Sequence, residues 1–225
     1  MPTALITGAG GGIGSAIAAA LAPTHTLLLA GRPSERLDAV AERLGATTFP
    51  LDVTDSSDIE AACEIIDTLD VLVHNAGMSI PGHVADSTVD EWRATFAVNV
   101  FGPVELTLAL LPALRAARGQ VVFINSGAGR TASSGMASYS ASKFALRAFA
   151  DSLRHDEPDL RVTTIYPGRT DTGMQRDLVA FEGGEYNAAR FLRPETVAGA
   201  VAHVVATPRD GHIHEIVLRP PAHTR

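Results

Sequence analysis

Residues Ile6–Leu21 read ITGAGGGIGSAIAAAL, and the succession of residue types in that stretch sets the architecture. An apolar run stops at Thr7, glycines follow at 8, 10, 11, 12 and 14, and an alanine-rich helical pattern begins at Ile13. Glycine tolerates positive φ and lets backbone N–H groups come close to a pyrophosphate resting on a helix N-terminus. The spacing is not G-x-G-x-x-G. It is T-G-x-x-x-G-x-G, carried by Gly8, Gly12 and Gly14. A glycine-rich turn without a ligand is the plain alternative, but so many glycines at one strand-to-helix turn cost chain entropy that a close approach must offset.

From this loop outward, β-rich runs and helical patterns alternate along the whole chain. The spacing predicts strands at Ala4–Thr7, Thr26–Ala30, Thr47–Leu51, Val71–His74, Val121–Asn125, Val162–Tyr166 and Ile213–Leu218. Helices are expected over Ile13–Leu21, Ser34–Leu44, Ser57–Leu69, Val89–Arg118, Ser138–Asp156 and Pro194–Ala206, with TVDE (Thr88–Glu91) at capping-box spacing. Continuous apolar strands such as VVFI suit a parallel sheet covered on both faces. Strict β-α alternation with right-handed crossovers predicts a Rossmann-like, doubly wound sheet of about seven strands in a three-layer α/β/α sandwich. No repeat or long linker interrupts it, so residues 1–225 are expected to form one domain. Ligands in this architecture bind at the carboxyl ends of the strands.

Composition narrows the function. A formal charge of −7 with dispersed arginines gives no basic stripe, which argues against a nucleic-acid partner. One cysteine, Cys63, excludes an intramolecular disulfide and fits a reducing compartment. The N-terminus MPTALITGAG lacks the features of a signal peptide, and no uninterrupted apolar run reaches the roughly 18 residues of a membrane span. The expectation is a cytoplasmic protein with no membrane partner.

The second strand should end beside an adenosine ribose, where an NAD-selective site places a carboxylate about 20 residues beyond the glycines. This chain has LLLAGRPSERL, Leu27–Leu37, with Arg32 there and no acid until Glu35. A guanidinium pairs with a 2′-phosphate through two charge-assisted hydrogen bonds, so NADP(H) is preferred and NAD(H) is the second choice.

The chemical end is marked by ASYSASKFALRAF, Ala137–Phe149. The chain holds 17 arginines and a single lysine, Lys143, four residues after Tyr139. At that spacing the two side chains share one helix face. Ser126, in FINSGAG, lies just past the fifth strand, and Asn99 sits within the fourth helix in FAVNVFG.

With T-G-x-x-x-G-x-G, HNAG (His74–Gly77), Asn99, Ser126, Tyr139-x-x-x-Lys143 and YPG (Tyr166–Gly168) in order, the chain resembles the short-chain dehydrogenase/reductases from about residue 3 to 218. The resemblance implies hydride transfer between a nicotinamide and a small carbonyl or alcohol substrate. It makes Tyr139 the acid/base, Ser126 the holder of the substrate oxygen, Lys143 the ribose contact that lowers the tyrosine pKa, and Asn99 part of a water-linked proton path. Gly8, Gly10, Gly12, Ile13 and Gly14 would contact the pyrophosphate side, and Asp52 and Val53 the adenine. Asn75, Ala76 and Gly77 would line the adenosine side, while Pro167, Gly168 and Thr172 hold the nicotinamide amide. Members commonly pair through their long helices, so a homodimer or homotetramer is implied. Two positions depart from the family pattern: Gly10 stands where a serine often contacts the ribose, and Thr170 where a hydrophobic residue is usual.

Elementary chemistry supports these roles. A reduced carbonyl gathers negative charge on oxygen, and a free tyrosine titrates near 10, too weak an acid for neutral pH. A nearby ammonium favours the phenolate, and lysine offers three rotatable donors where arginine presents a rigid fork. A second reading is a catalytically inactive NADP-binding sensor, which needs the glycine loop but not the Ser–Tyr–Lys set. Epimerase or dehydratase chemistry could reuse Tyr139 and Lys143 but usually brings a larger substrate domain. His212 and His214 share a face of the last expected strand, yet two histidines without a third ligand make a poor metal site, and none is expected. Ser126 lacks the G-x-S-x-G elbow of a hydrolase. Arg130 and Arg169 flank the expected site and could meet an anionic substrate, and Met78, Met136, Met174 and Phe181 hint at an apolar one.

Overall fold

The computed structural model describes residues 1–221. Seven strands, β1 (Thr3–Thr7), β2 (Thr26–Gly31), β3 (Thr47–Pro50), β4 (Val71–His74), β5 (Gln120–Ile124), β6 (Arg161–Pro167) and β7 (Glu215–Leu218), form one parallel sheet in the order β3-β2-β1-β4-β5-β6-β7. The chain winds outward from β1 to β3, then crosses back to β4 on the other side of β1. A crevice therefore opens between the carboxyl ends of β1 and β4, where loops leave in opposite directions.

Alternation along each strand divides two cores. Ala4, Ile6, Leu27, Leu29, Val71, Val73, Val122 and Ile124 face helices α1 (Gly12–Leu21), α2 (Glu35–Leu44) and α8 (Pro194–Ala206). Leu5, Ala30, Leu72, Val121, Phe123 and Val162 face α3 (Ser56–Cys63), α5 (Gly102–Ala117) and α6 (Ala137–Asp156). The apolar strands are apolar throughout because both sheet faces are covered, and each fully buried aliphatic side chain contributes about 2 kcal/mol.

Several helices differ from expectation. The third ends at Cys63, not Leu69. Leu69 and Asp70 must already lie extended, their N–H groups donating to Ala113 and Thr3, because β4 starts at Val71. The fourth is broken: α4 (Val89–Phe96) runs into a π-helical turn, Ala97–Phe101, before α5. By length and composition Val89–Ala117 could cross a membrane, with a mean hydropathy of 1.6, but half of its most apolar window is buried inside the fold. A further helix, α7 (Gly173–Phe181), occupies a region expected to be loop. The last strand begins at Glu215, so His212 and His214 precede it. Their rings meet edge to face at 4.5 Å, His212 Nε2 lies 3.0 Å from the Val162 carbonyl, and no metal-holding cluster occurs among the described residues. Cys63 is half-buried against the second core.

Candidate active site

The loop between β1 and α1 is shaped for backbone contact with an anion. Gly8 has φ +65°, and a Cβ there would stand 2.9 Å from Ala76 Cα. A Cβ on Gly14 would stand 2.2 Å from the Gly8 carbonyl oxygen, so α1 can pack against the loop only with glycine at 14. Thr7 and Asn75 clamp the crevice. Thr7 Oγ1 accepts from the N–H groups of Asn75 and Ala76, both at 3.0 Å, and Asn75 Nδ2 donates to the carbonyls of Thr7 (3.0 Å) and Gly8 (3.2 Å). Asn75 thus holds the loop from behind.

The helix ends supply an independent observation. Ser34, Asp55, Thr88 and Thr172 each cap a helix N-terminus with a side-chain oxygen. The N-cap of α1 is Gly11, with no side-chain acceptor and no acidic residue in the first turn, a feature shared by α6, whose N-cap is Met136. Uncapped N–H groups carrying the positive end of a helix dipole suit a phosphate, and the residues present fit a dinucleotide pyrophosphate. Thr172, at the start of α7, reaches over this loop, its Cγ2 being 3.3 Å from where a Cβ on Gly12 would stand. Arg32 is exposed at the end of β2, with no ion-pair partner among the described residues. Asp52 closes its own turn, accepting from Thr54 N at 2.9 Å and Oγ1 at 2.8 Å, and the Val53 carbonyl lies against Gly102.

The chemical residues converge from separate elements. Ser126 lies two residues past β5, Tyr139 and Lys143 lie one turn apart on α6, and Asn99 comes from the π turn. Tyr139 is 8% exposed and Lys143 4%, so neither is a solvated surface side chain. Lys143 Nζ donates to the Ile124 carbonyl at 3.1 Å and lies 5.7 Å from the centre of the Tyr139 ring. The Ser126 hydroxyl accepts from Ala128 N at 3.1 Å, and its proximity pulls the Tyr139 pKa down. Asn99 Oδ1 accepts from Met78 N at 2.9 Å, while Nδ2 donates to Met78 O at 2.9 Å and Ser142 Oγ at 3.0 Å. The extra residue of the π turn carries the fully buried Asn99 into this position.

Asn125, which the sequence reading quoted without assigning a role, locks the arrangement. Its Oδ1 accepts from Ser126 N at 2.7 Å, and its Nδ2 donates to the Lys143 carbonyl at 3.0 Å. The strand end bearing Ser126 is thereby tied to the helix bearing Tyr139 and Lys143. Gly129 allows it, because a Cβ there would stand 2.2 Å from Asn125 Oδ1.

The expected lowering of the tyrosine pKa by Lys143 is absent. Burial pushes the Tyr139 phenol up from its ordinary value, and only the Ser126 hydroxyl pulls the other way. Burial also brings the Lys143 ammonium down to about 8. Desolvation is the leading cause of both shifts, and Nζ lies 5.7 Å from the ring centre. For Lys143 the folded pKa is below the unfolded one, so between about 8 and 10.5 the folded chain holds fewer protons and stability rises with pH. Because Lys143 is the sole lysine, ¹³Cε-lysine labelling gives one side-chain resonance. Its titration midpoint is expected about 8, and a midpoint at the ordinary lysine value would place Nζ in water.

A cleft of about 840 Å³ opens over these groups, lined by Ser126, Tyr139, Gly168, Thr170, Met174 and Arg219 among others. Pro167 lies at its floor, and the Gly168 N–H donates to the Leu218 carbonyl at 2.8 Å. Thr170 is buried, and its hydroxyl donates to the Gly168 carbonyl at 3.0 Å, which satisfies the polar group where an apolar one was expected. Met136 and Met174 line the cleft, and Phe181 lines a neighbouring pocket of about 240 Å³. Arg130 is turned to Glu215 at 2.6 Å, and Arg169 to Glu182 at 2.7 Å, so both candidate anion readers already have partners.

A model of the short chain dehydrogenase family matches residues 2–183. The chain belongs to that family. Among its relatives this short-chain dehydrogenase is 36% identical to a glycine betaine reductase of Emericella nidulans, over 96% of this chain but 18% of that much longer protein. It is 30% identical to an uncharacterised oxidoreductase of Staphylococcus epidermidis over 96% of both chains. Among solved structures, an alcohol dehydrogenase of the archaeon Thermococcus sibiricus, complexed with 5-hydroxy-NADP, superposes with a TM-score of 0.89 at 28% identity, covering 100% of this chain and 99% of that one. The closed form of a serine dehydrogenase complexed with NADP+ gives 0.88 at 28% identity, covering 99% and 96%. The short-chain dehydrogenase fold, with its nucleotide crevice, is therefore shared along the full sheet.

Proposed function

We propose that this short-chain dehydrogenase is an NADP(H)-dependent oxidoreductase that interconverts a carbonyl and an alcohol, residues 1–225 acting as one domain. The observation that carries the reading is that Ser126 and Tyr139 line one cleft, with the buried Lys143 ammonium 5.7 Å from the tyrosine ring centre. The nicotinamide, when bound, supplies or accepts the hydride at the reacting carbon. Gly8, Gly10, Gly12, Ile13 and Gly14 cradle the pyrophosphate, Asp52, Val53, Asn75, Ala76 and Gly77 bound the adenosine half, and Pro167, Gly168 and Thr172 the nicotinamide.

Ser126 holds the substrate oxygen and Tyr139 delivers or takes its proton. Burial keeps the Tyr139 phenol protonated and makes it a weaker acid, so donation relies on the negative charge that develops on the substrate oxygen beside it. Lys143 has one protein acceptor among the described residues, the Ile124 carbonyl, leaving donors for ribose hydroxyls. Asn99 fixes the Met78 backbone and the Ser142 hydroxyl next to this group, the position the proton path needs.

The test follows NADPH consumption with a panel of small ketones and quinones. Binding without turnover of any of them would favour the sensor. Arg32, without an ion-pair partner among the described residues, is the proposed 2′-phosphate contact, and the NADP-bound neighbours support a dinucleotide of that kind. Arg32→Asp is expected to weaken NADPH binding about tenfold or more and to improve NADH relative to it, and unchanged NADPH affinity would sink the assignment. Phe101 at the end of the π turn, Leu108 on α5 and Phe144 on α6 are exposed, which supports pairing of copies through these helices into a homodimer or homotetramer. The single cysteine fits a cytoplasmic location.

A further inference from the structure

The cleft carries one charge that the fold leaves unbalanced. Glu182 is its one lining carboxylate among the described residues, and Arg169 is already paired with it. Arg219, just past β7, also lines the cleft and has no ion-pair partner among the described residues. A guanidinium stays charged at any working pH, so this is a permanent positive site.

Its orientation is fixed from one side. Nη1 donates to two backbone carbonyls, Tyr166 at 3.1 Å and Leu218 at 2.9 Å. Nη2 lies 3.1 Å from where a Cβ on Gly127 would stand, one residue beyond Ser126. With Nη1 engaged, the Nε–Nη2 edge remains for a ligand. The same edge is used elsewhere in this chain, where Arg115 grips Glu157 with Nε at 2.9 Å and with Nη2. Two parallel N–H groups at that spacing match the two oxygens of a carboxylate. Met136, Met174 and Leu178 line the same cleft and would cover a short carbon chain.

We propose that Arg219 reads the carboxylate of the substrate, so that this cleft takes oxo acids and the corresponding hydroxy acids. The identity of the reacting group rests on the oxidoreductase reading above, whereas carboxylate capture rests on Arg219 alone.

The experiment compares 3-hydroxybutyrate with its methyl ester, first as ligands of the NADP-loaded protein by calorimetry, then as substrates. The native protein is expected to favour the acid in both measurements. Arg219→Met, which keeps the length of the stem, should lower the acid-over-ester ratio about tenfold to hundredfold, and Arg219→Lys should restore only part of it. No preference for the acid in the native protein, or an equal loss for acid and ester in Arg219→Met, overturns the assignment. Acid binding that Arg219→Met abolishes, with no turnover of either compound by the native protein, supports the carboxylate site while counting against the oxidoreductase reading.

Discussion

Tyr139→Phe is expected to lower turnover by about two orders of magnitude or more while NADPH still binds. The substitution removes one oxygen and keeps the ring. With Tyr139 at 8% exposure on α6, the ring is part of the packing, and phenylalanine fills the same space. What disappears is the proposed proton donor, the hydroxyl whose pKa Ser126 influences. The charge developing on the substrate oxygen then meets Ser126 alone. Measuring kcat/KM beside cofactor affinity separates the outcomes: a loss confined to kcat identifies the proton step, and near-native turnover would refute it.

Acid is expected to destabilise the protein through a histidine that takes no part in the chemistry. His74 closes β4, is fully enclosed, and stacks on Phe123 at 4.9 Å between ring centres. Thr107 Oγ1 donates to the Pro103 carbonyl at 2.7 Å, so at its 2.8 Å contact with His74 it must accept, and Nε2 carries the imidazole proton. Burial lowers the His74 pKa from 6.5 to about 3. The unfolded chain therefore binds a proton that the folded chain refuses across that window, and stability falls as pH drops through it. The loss totals on the order of 5 kcal/mol by about pH 3, with about 3 kcal/mol of it gone by about pH 4.5. Urea unfolding at about pH 7 and about pH 4.5 measures it. His74→Asn should flatten the difference, and an undiminished acid loss in that variant would assign the effect to other groups.

Much of this was legible in the chain because the signals are local. Strand ends came within a residue or two, since alternation and glycine punctuation act over a few positions. Tyr139 and Ser126 line one cleft, and Lys143 is buried one turn along α6 from Tyr139. The features that escaped depend on three-dimensional context. The π turn at Asn99 leaves the apolar pattern nearly unbroken, and Gly102-Pro103 directly after it was the available warning. Helix α7 announced itself through Thr172-x-x-Gln175, a cap followed by Gln at capping-box spacing, whose N–H the Thr172 hydroxyl accepts at 3.3 Å. Asn125 and Arg219 had no readable signal, because their roles exist only once β5, α6 and β7 meet. The direction of the tyrosine shift also failed for a physical reason: spacing reports that two groups are neighbours, whereas pKa depends on how much water remains around them.

The arginine-for-lysine economy of the chain has a practical consequence. Among lysine and arginine, every side chain but one is a guanidinium, and the exception is buried on α6 at 4% exposure. Acylating reagents that seek primary amines find no side-chain target on the outside of the native fold. Any label that reaches position 143 records a moment when α6 and its neighbours have parted, which makes ordinary amine chemistry a clock for the breathing of this enzyme.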